Sequence, residues 1–400
     1  MKKVKFGIIG AGNIGAAHYE VFMKNQVPNG ELVAIADLVP AKLEAVRKKG
    51  QELNPEAEAK VTYFASGDEL IASGICDAVT VAVPHYDHPV FAIKAMKAGM
   101  NVIVEKPAGV YTLQVEEMIE EAKKHPELKA GIIFNVRTNP CFIKMHDMIA
   151  EGLLGRITRL TWIITNWFRT QAYYDNGGWR ATWVGEGGGV LYNQSPHQLD
   201  LFQWVPGMMP NKIQTHCHFG KWHNIEVEDD VTAYLEYPNG ATGVFITTTG
   251  EAPGTNRFEV TGENGKLVYE DNKLTFYKNE RSMLDTIWNT PNGFGSMPTE
   301  KIEVECPGEY TLHAGVFNNF CNAILGIEEF IFPIEQGLNG VILANAMLLS
   351  GWKEAPVELP VNGQEFYDLL QQHIRDSKVN KDINATGEVE SNMSSTYSKG

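Results

Sequence analysis

Between residues 4 and 134 the chain alternates short apolar runs with stretches of helical spacing. "VKFGII" (4–9), "LVAIA" (32–36), "VTYF" (61–64), "DAVTVAV" (77–83), "NVIV" (101–104) and "KAGIIF" (129–134) have the length and β-branched content of strands. "AKLEAVRKKGQEL" (41–53), "HPVFAIKAMKAG" (88–99) and "TLQVEEMIEEAKKH" (112–125) repeat their apolar positions at helical intervals. Nearly continuous apolar strands separated by helices predict a parallel sheet covered on both faces, the doubly wound α/β arrangement.

Beyond residue 135 the texture changes to longer alternating segments at 156–165, 229–250 and 257–279. "PNG" (238–240) and "ENG" (263–265) divide the second and third of these into hairpins. The pattern predicts a large, mostly antiparallel open sheet, one face covered by helices near 139–151, 195–204 and 313–325. The expected division is a Rossmann domain over 1–134, an α+β substrate and oligomerisation domain over 135–377, and a polar extension over 378–400. A length of 400 residues agrees with more than one core.

Composition narrows the classes without choosing one. A formal net charge of -15 argues against nucleic acid, whose phosphates require a basic face. No run of 18 apolar residues is present, so no membrane-spanning helix is expected. The opening lysines precede an apolar stretch too short and glycine-broken for a secretory signal. Five scattered cysteines without CxxC spacing read as reduced thiols of a cytoplasmic protein. His216 and His218 would share a strand face near His223, but no further ligand pattern follows, so no metal is expected.

The chemistry starts at "GAGNIG", where Gly10, Gly12 and Gly15 follow the first strand and open a helix. Glycines there permit a tight turn, close approach of a pyrophosphate and tight helix–strand packing. Asp37, at the end of the second strand, is placed to accept from a ribose diol and to repel a 2'-phosphate. Leu38 next to it offers no compensating positive charge, so NAD is expected over NADP. Glu105 and Lys106 emerge at the carboxyl end of the fifth strand, where open α/β sheets bind ligands, and Pro107 stops that strand.

These stretches, with "AVPHYDH" (82–88), "WRATW" (179–183), "GGGVLYNQSPHQLD" (187–200) and "FNNFCNAILG" (317–326), resemble the Gfo/Idh/MocA family over roughly residues 3–375. The resemblance implies NAD(P)-dependent oxidation of a sugar, inositol or related alcohol, and self-association through the open sheet face. It implies cofactor contacts from Asn13, Ile14, Pro84, His85, His88, Glu105, Lys106, Asn135 and Arg180. Lys106 and His197 match the family's catalytic pair, and Asn193 stands where an acidic residue is usual. Asn193 can hydrogen-bond a substrate hydroxyl or His197 but cannot serve as a base. Tyr174, Trp179 and Arg180 are further substrate candidates, aromatic faces for sugar C–H groups and a guanidinium for hydroxyls or a carboxylate.

Histidine has a suitable unperturbed pKa, ~6.5, for taking a hydroxyl proton, and lysine at ~10.4 has one only when desolvated or beside another positive charge. His197 is therefore expected as acid/base and Lys106 as orienter, with the inverse assignment open. Three functions follow. The first is a dehydrogenase of a sugar, inositol or glycoside, carbon 3 of a glucosyl unit being one instance. The second is a glycoside-cleaving enzyme that oxidises transiently, and the third is a dinucleotide-sensing regulator.

Overall fold

The computed structural model describes residues 2–379 and residue 381, so most of the expected extension over 378–400 lies outside the described residues. The first sheet comprises β1 (Val4–Ile9), β2 (Gly30–Ala36), β3 (Thr62–Phe64), β4 (Ala78–Val81), β5 (Asn101–Val104) and β6 (Ala130–Ile132). All neighbours are parallel in the order β3-β2-β1-β4-β5-β6. The order reverses between β1 and β4, and that switch point brings the ends of β1, β2, β4 and β5 to one crevice. Ile8, Ile35, Val79 and Ile103 are fully buried, as continuous apolar strands require.

Among the described residues the second sheet holds nine strands: β7 (Ile157–Ile164), β8 (Lys212–Phe219), β9 (Glu228–Glu236), β10 (Thr242–Thr248), β11 (Asn256–Gly262), β12 (Gly265–Glu270), β13 (Lys273–Asn279), β14 (Thr299–Val304) and β15 (Val357–Glu358). Their order is β14-β13-β12-β11-β7-β10-β9-β8-β15. The pairing is antiparallel except between β7 and β10. Both expected hairpins form, at β9–β10 and β11–β12. Alternation is visible in β9, where Val231, Ala233 and Leu235 face the core and Thr232 and Tyr234 face away.

One helix is misplaced by the sequence reading. Leu312–Ile324, expected on the second sheet, buries Val316, Phe317, Phe320 and Cys321 in the core of the first. The Phe317 and Phe320 rings lie edge-on to Phe6 of β1, at 5.5 and 6.0 Å. The first core therefore draws on residues far beyond 134, and a cut there would divide it. Its position against the second sheet is taken by the helix Gly337–Lys353, whose Leu343, Met347 and Leu348 are buried in the second core.

Candidate active site

The glycine loop is built for close approach. Gly10 has φ +101°, and a Cβ there would lie 2.4 Å from the Ala82 carbonyl oxygen. At Gly15 a Cβ would come within 1.8 Å of the Gly10 oxygen, whereas at Gly12 it would meet nothing within 4 Å. The face of the loop at Gly12 is thus open, at the start of the helix Asn13–Met23, where unpaired N–H groups favour an anion. These features fit a dinucleotide pyrophosphate.

Asp37 ties the loop down: its Oδ2 accepts from the Ala11 N–H at 2.7 Å and its Oδ1 from the Val39 N–H at 2.8 Å. Each carboxylate oxygen keeps a further lone pair for a ribose hydroxyl. Leu38 is 81% exposed and brings no cation to the position of a 2'-phosphate.

Across the crevice, His88 braces the turn that carries Lys106. Its Nδ1 lies 2.7 Å from the Pro107 oxygen and its Nε2 2.8 Å from the Val83 oxygen, so its ring is committed to backbone while Pro84 beside it is exposed. His85 places Nδ1 3.1 Å from the Glu186 carbonyl and its ring edge-on to Trp179. Burial, then His88 and Lys106, hold the His85 imidazole well below its ordinary pKa.

Glu105 corrects an expectation. Its carboxylate is buried with Oε1 2.9 Å from His18 Nε2 and 3.6 Å from His313 Nε2, and Oε2 accepts from the Lys106 N–H. It anchors the turn from within and is not presented to a cofactor. His18, Glu105 and His313 offer metal-type ligand atoms within 4.8 Å of one another. The 2.9 Å contact is a distance that an imidazole nitrogen and a carboxylate oxygen also keep when they meet directly. Despite burial, the two imidazoles keep Glu105 ionised, well below the usual carboxylate range.

Lys106 is half-buried and donates to the Asn193 backbone oxygen at 3.2 Å. Desolvation lowers its pKa, opposed by Glu105 and Glu186. His197 stands in the first turn of the helix Pro196–Trp204, buried, with neither ring nitrogen hydrogen-bonded. Burial and then Lys106 hold it well below the ordinary histidine value, so it is a neutral imidazole. One turn on, Asp200 receives Arg137 in a buried two-point pair at 2.7 and 2.5 Å. The guanidinium also bonds Gln336 and lies against the Phe134 and Trp204 rings. This clamp joins the helix bearing His197 to the segment after β6. Asn135, in that same segment, is fully buried with both side-chain polar atoms unpartnered.

Two further expectations change. Asn193 does not bond His197: its Nδ2 donates to Glu186 Oε1, and its Oδ1 accepts from the Tyr173 hydroxyl at 3.0 Å and from Gln194 Nε2 at 3.2 Å. Tyr174 is not at the site, because it is buried with its hydroxyl donating to Thr249 Oγ1 at 2.8 Å. Its neighbour Tyr173 takes that place, with the Arg180 guanidinium 4.4 Å above its ring and 5.3 Å from that of Trp179. Tyr173 also walls an open depression of about 650 Å³ together with Phe168 and Arg169. Of the three histidines near 216–223, His223 is paired with Asp229 at 3.0 Å, and His216 and His218 are exposed on β8.

The residues not foreseen are Glu186, Gln194, His18, His313 and the Arg137–Asp200 clamp. One of them left a trace: Glu186 is a lone charge within the glycine run "GEGGG" (185–189).

Residues 4–130 match the model of the oxidoreductase family with an NAD-binding Rossmann fold, and residues 142–268 match the GFO/IDH/MocA C-terminal domain. The chain is 26% identical to the myo-inositol 2-dehydrogenase of Thermotoga maritima over 67% of its own length and 75% of that protein. It is 22% identical to the uncharacterized protein y4oX of Sinorhizobium fredii over 90% of its own length and 95% of that chain. The WlbA dehydrogenase of Chromobacterium violaceum, crystallised with NADH and UDP-GlcNAcA, superposes with a TM-score of 0.75 at 25% identity, covering 90% of this chain and 97% of that one. Among the described residues no helix is long and apolar enough to cross a membrane. With residues 4–130 and 142–268 matched by its two domain models, the chain belongs to the GFO/IDH/MocA family of NAD-binding oxidoreductases.

Proposed function

We propose that the protein oxidises a secondary hydroxyl of a sugar, inositol or glycoside, with NAD as acceptor. The observation that carries this reading is His197, a buried imidazole with both nitrogens unpartnered in the same site as Lys106. Buried polar atoms are normally paired, so an unpaired base in a crevice is held ready for a ligand. The inositol dehydrogenase relative, and the nucleotide-sugar acid bound by the structural neighbour, support a polyol or sugar substrate.

The residues divide the work as follows. Trp179, Arg180 and Tyr173 form an aromatic and cationic wall suited to the C–H and hydroxyl faces of a sugar ring. The Lys106 ammonium, held by the Asn193 carbonyl, donates to the substrate oxygen and stabilises the negative charge growing on it. Neutral His197 takes the hydroxyl proton. Bound NAD supplies the electrophilic carbon that accepts the hydride.

The test is incubation with NAD across a panel of sugars, inositols and glycosides, reading NADH and organic products separately. The expected result is NADH and a ketone in equal amounts. Aglycone release without NADH would assign the glycoside-cleaving reaction instead. Tight NAD binding with no turnover of any polyol would assign a sensor.

A further inference from the structure

We propose that Glu186 is a positioning residue of this site, a buried carboxylate that acts through the Asn193 side chain to set how Tyr173 faces the substrate. The inference rests on the dehydrogenase reading above and names a group to which no role has yet been assigned.

Glu186 is 1% exposed and lies in a loop of glycines. Its Oε2 accepts from the Ala181 N–H at 2.6 Å, and its Oε1 accepts from Asn193 Nδ2. Burying a carboxylate is costly unless its oxygens are satisfied, and here both are. Its charge faces Lys106 and Arg180 across the site, Lys381 beyond them, and the buried carboxyl of Glu228 with the Tyr174 phenol behind. His85 touches the backbone carbonyl of the same residue.

An amide has one donating edge and one accepting edge, so its orientation is set by its neighbours. An ionised Glu186 only accepts, and it claims the donating edge of Asn193. The accepting edge must then face Tyr173, whose hydroxyl proton is spent on Asn193 Oδ1. The Tyr173 oxygen also accepts from Gln194 Nε2 at 3.3 Å, so the charge on Glu186 decides whether the Tyr173 hydroxyl donates to Asn193 or accepts from it. A proton on Oε1 of Glu186 would turn the amide over, and Tyr173 would then accept from it. Lys106 is bonded to the backbone oxygen of that same Asn193, so Tyr173 and Lys106 are set by one residue. The acidic group that the family pattern leads one to expect at 193 is not absent from the site: a carboxylate reaches it from 186. Burial raises the Glu186 pKa above the ordinary range, opposed by the Asn193 and Ala181 hydrogen bonds.

Three variants test this. Glu186→Gln sets a donor against the donating edge of Asn193. Asn193→Asp sets two carboxylates in contact, of which only one can ionise readily. The double variant Glu186→Gln/Asn193→Asp restores one charge and one donor–acceptor pair with the positions exchanged. On the substrate found for the wild type, turnover should fall on the order of 10-fold or more in Glu186→Gln, as expected when a positioned group is misdirected. NADH affinity, read by fluorescence, should stay within about threefold because Glu186 acts on the substrate side. The acid limb of the pH profile should disappear in Glu186→Gln and return, with much of the turnover, in the double variant. Wild-type turnover and an unchanged acid limb in folded Glu186→Gln overturn the proposal. So does a folded double variant no better than Glu186→Gln.

A second readout needs no substrate and covers the case of a variant that does not fold. In wild-type protein labelled at glutamate carboxyl carbons and asparagine side-chain nitrogens, the buried carboxyls of Glu186 and Glu228 should both titrate above the ordinary range, and the Asn193 amide resonance should move with that of Glu186. An Asn193 resonance unmoved by pH overturns the proposal. If no polyol is oxidised by the wild type, the dehydrogenase reading fails, and this titration still decides the role of Glu186.

Discussion

The two walls of the crevice are made in different ways. The cofactor wall is local: Gly10, Gly12 and Gly15 lie within six residues, and Asp37 reaches back to the Ala11 N–H. The wall we propose for the substrate is assembled from afar, with Lys106 after β5, Tyr173 and Arg180 in an excursion beyond β7, and Asn193 and His197 around the start of a later helix. A local wall is set by backbone sterics and tolerates almost no change. A composite wall is set by hydrogen-bond direction, and one amide can re-aim it.

The sharpest way to break the first wall is to compare two glycines in it. Gly15→Ala drives a methyl group to 1.8 Å from the Gly10 oxygen, so the loop must shift. NADH binding should be lost by at least ~100-fold, and the melting temperature should fall. Gly12→Ala meets no protein atom within 4 Å, so it should melt as the wild type does yet bind NADH on the order of 10-fold more weakly. Equal melting with unchanged NADH affinity in Gly12→Ala would move the pyrophosphate elsewhere.

The second wall divides at neighbouring tyrosines. Tyr173→Phe removes the hydroxyl facing Asn193 and should cut turnover about 10-fold without changing stability. Tyr174→Phe breaks the buried bond to Thr249 and should cost about 1 kcal/mol of stability with turnover kept. Unfolding and steady-state rates for the pair would reverse this assignment if Tyr174→Phe proved the slower enzyme. An effect of similar size belongs to Asp37→Ala, which should weaken NAD and narrow its advantage over NADP by roughly 10-fold. Competitive binding of the two dinucleotides reads it directly.

The smallest effect lies at the buried carboxyl of Glu228. Its Oε1 accepts from the Gly189 and Leu191 N–H groups, and burial pushes its carboxyl up to about 8. A carboxyl raised in the folded state favours folding while both states are protonated. That contribution is lost as pH rises from the unfolded value toward 8. Glu228→Gln removes the dependence, so its melting temperature should drop less over that interval, by ~3 °C or more. Parallel melting curves for the two proteins across pH would show that Glu228 does not titrate there.

The same division explains what could be read from the chain. All six strands of the first sheet, the glycine loop and the turn at Lys106 are patterns of neighbours, and they stand where periodicity put them. The helix Leu312–Ile324 is apolar along one side, but nothing local says which of two sheets that side covers; Phe6 and Phe22 decide it. Tyr173 and Tyr174 share one short helix, roughly 100° apart around its axis, and only the tertiary fold chooses which enters the core. The Glu186–Asn193 bond was hidden for a related reason. A single carboxyl among glycines reads as a loop charge until the fold closes over it.

The central claim is that Lys106 and His197 work together on a substrate hydroxyl. A substrate found in the panel, deuterated at the reacting carbon, tests it by transfer of the label to the nicotinamide. The wild type should transfer deuterium, and Lys106→Ala and His197→Ala should each be slower by ~100-fold or more while still binding NADH. Transfer at the wild-type rate in either variant would contradict the account.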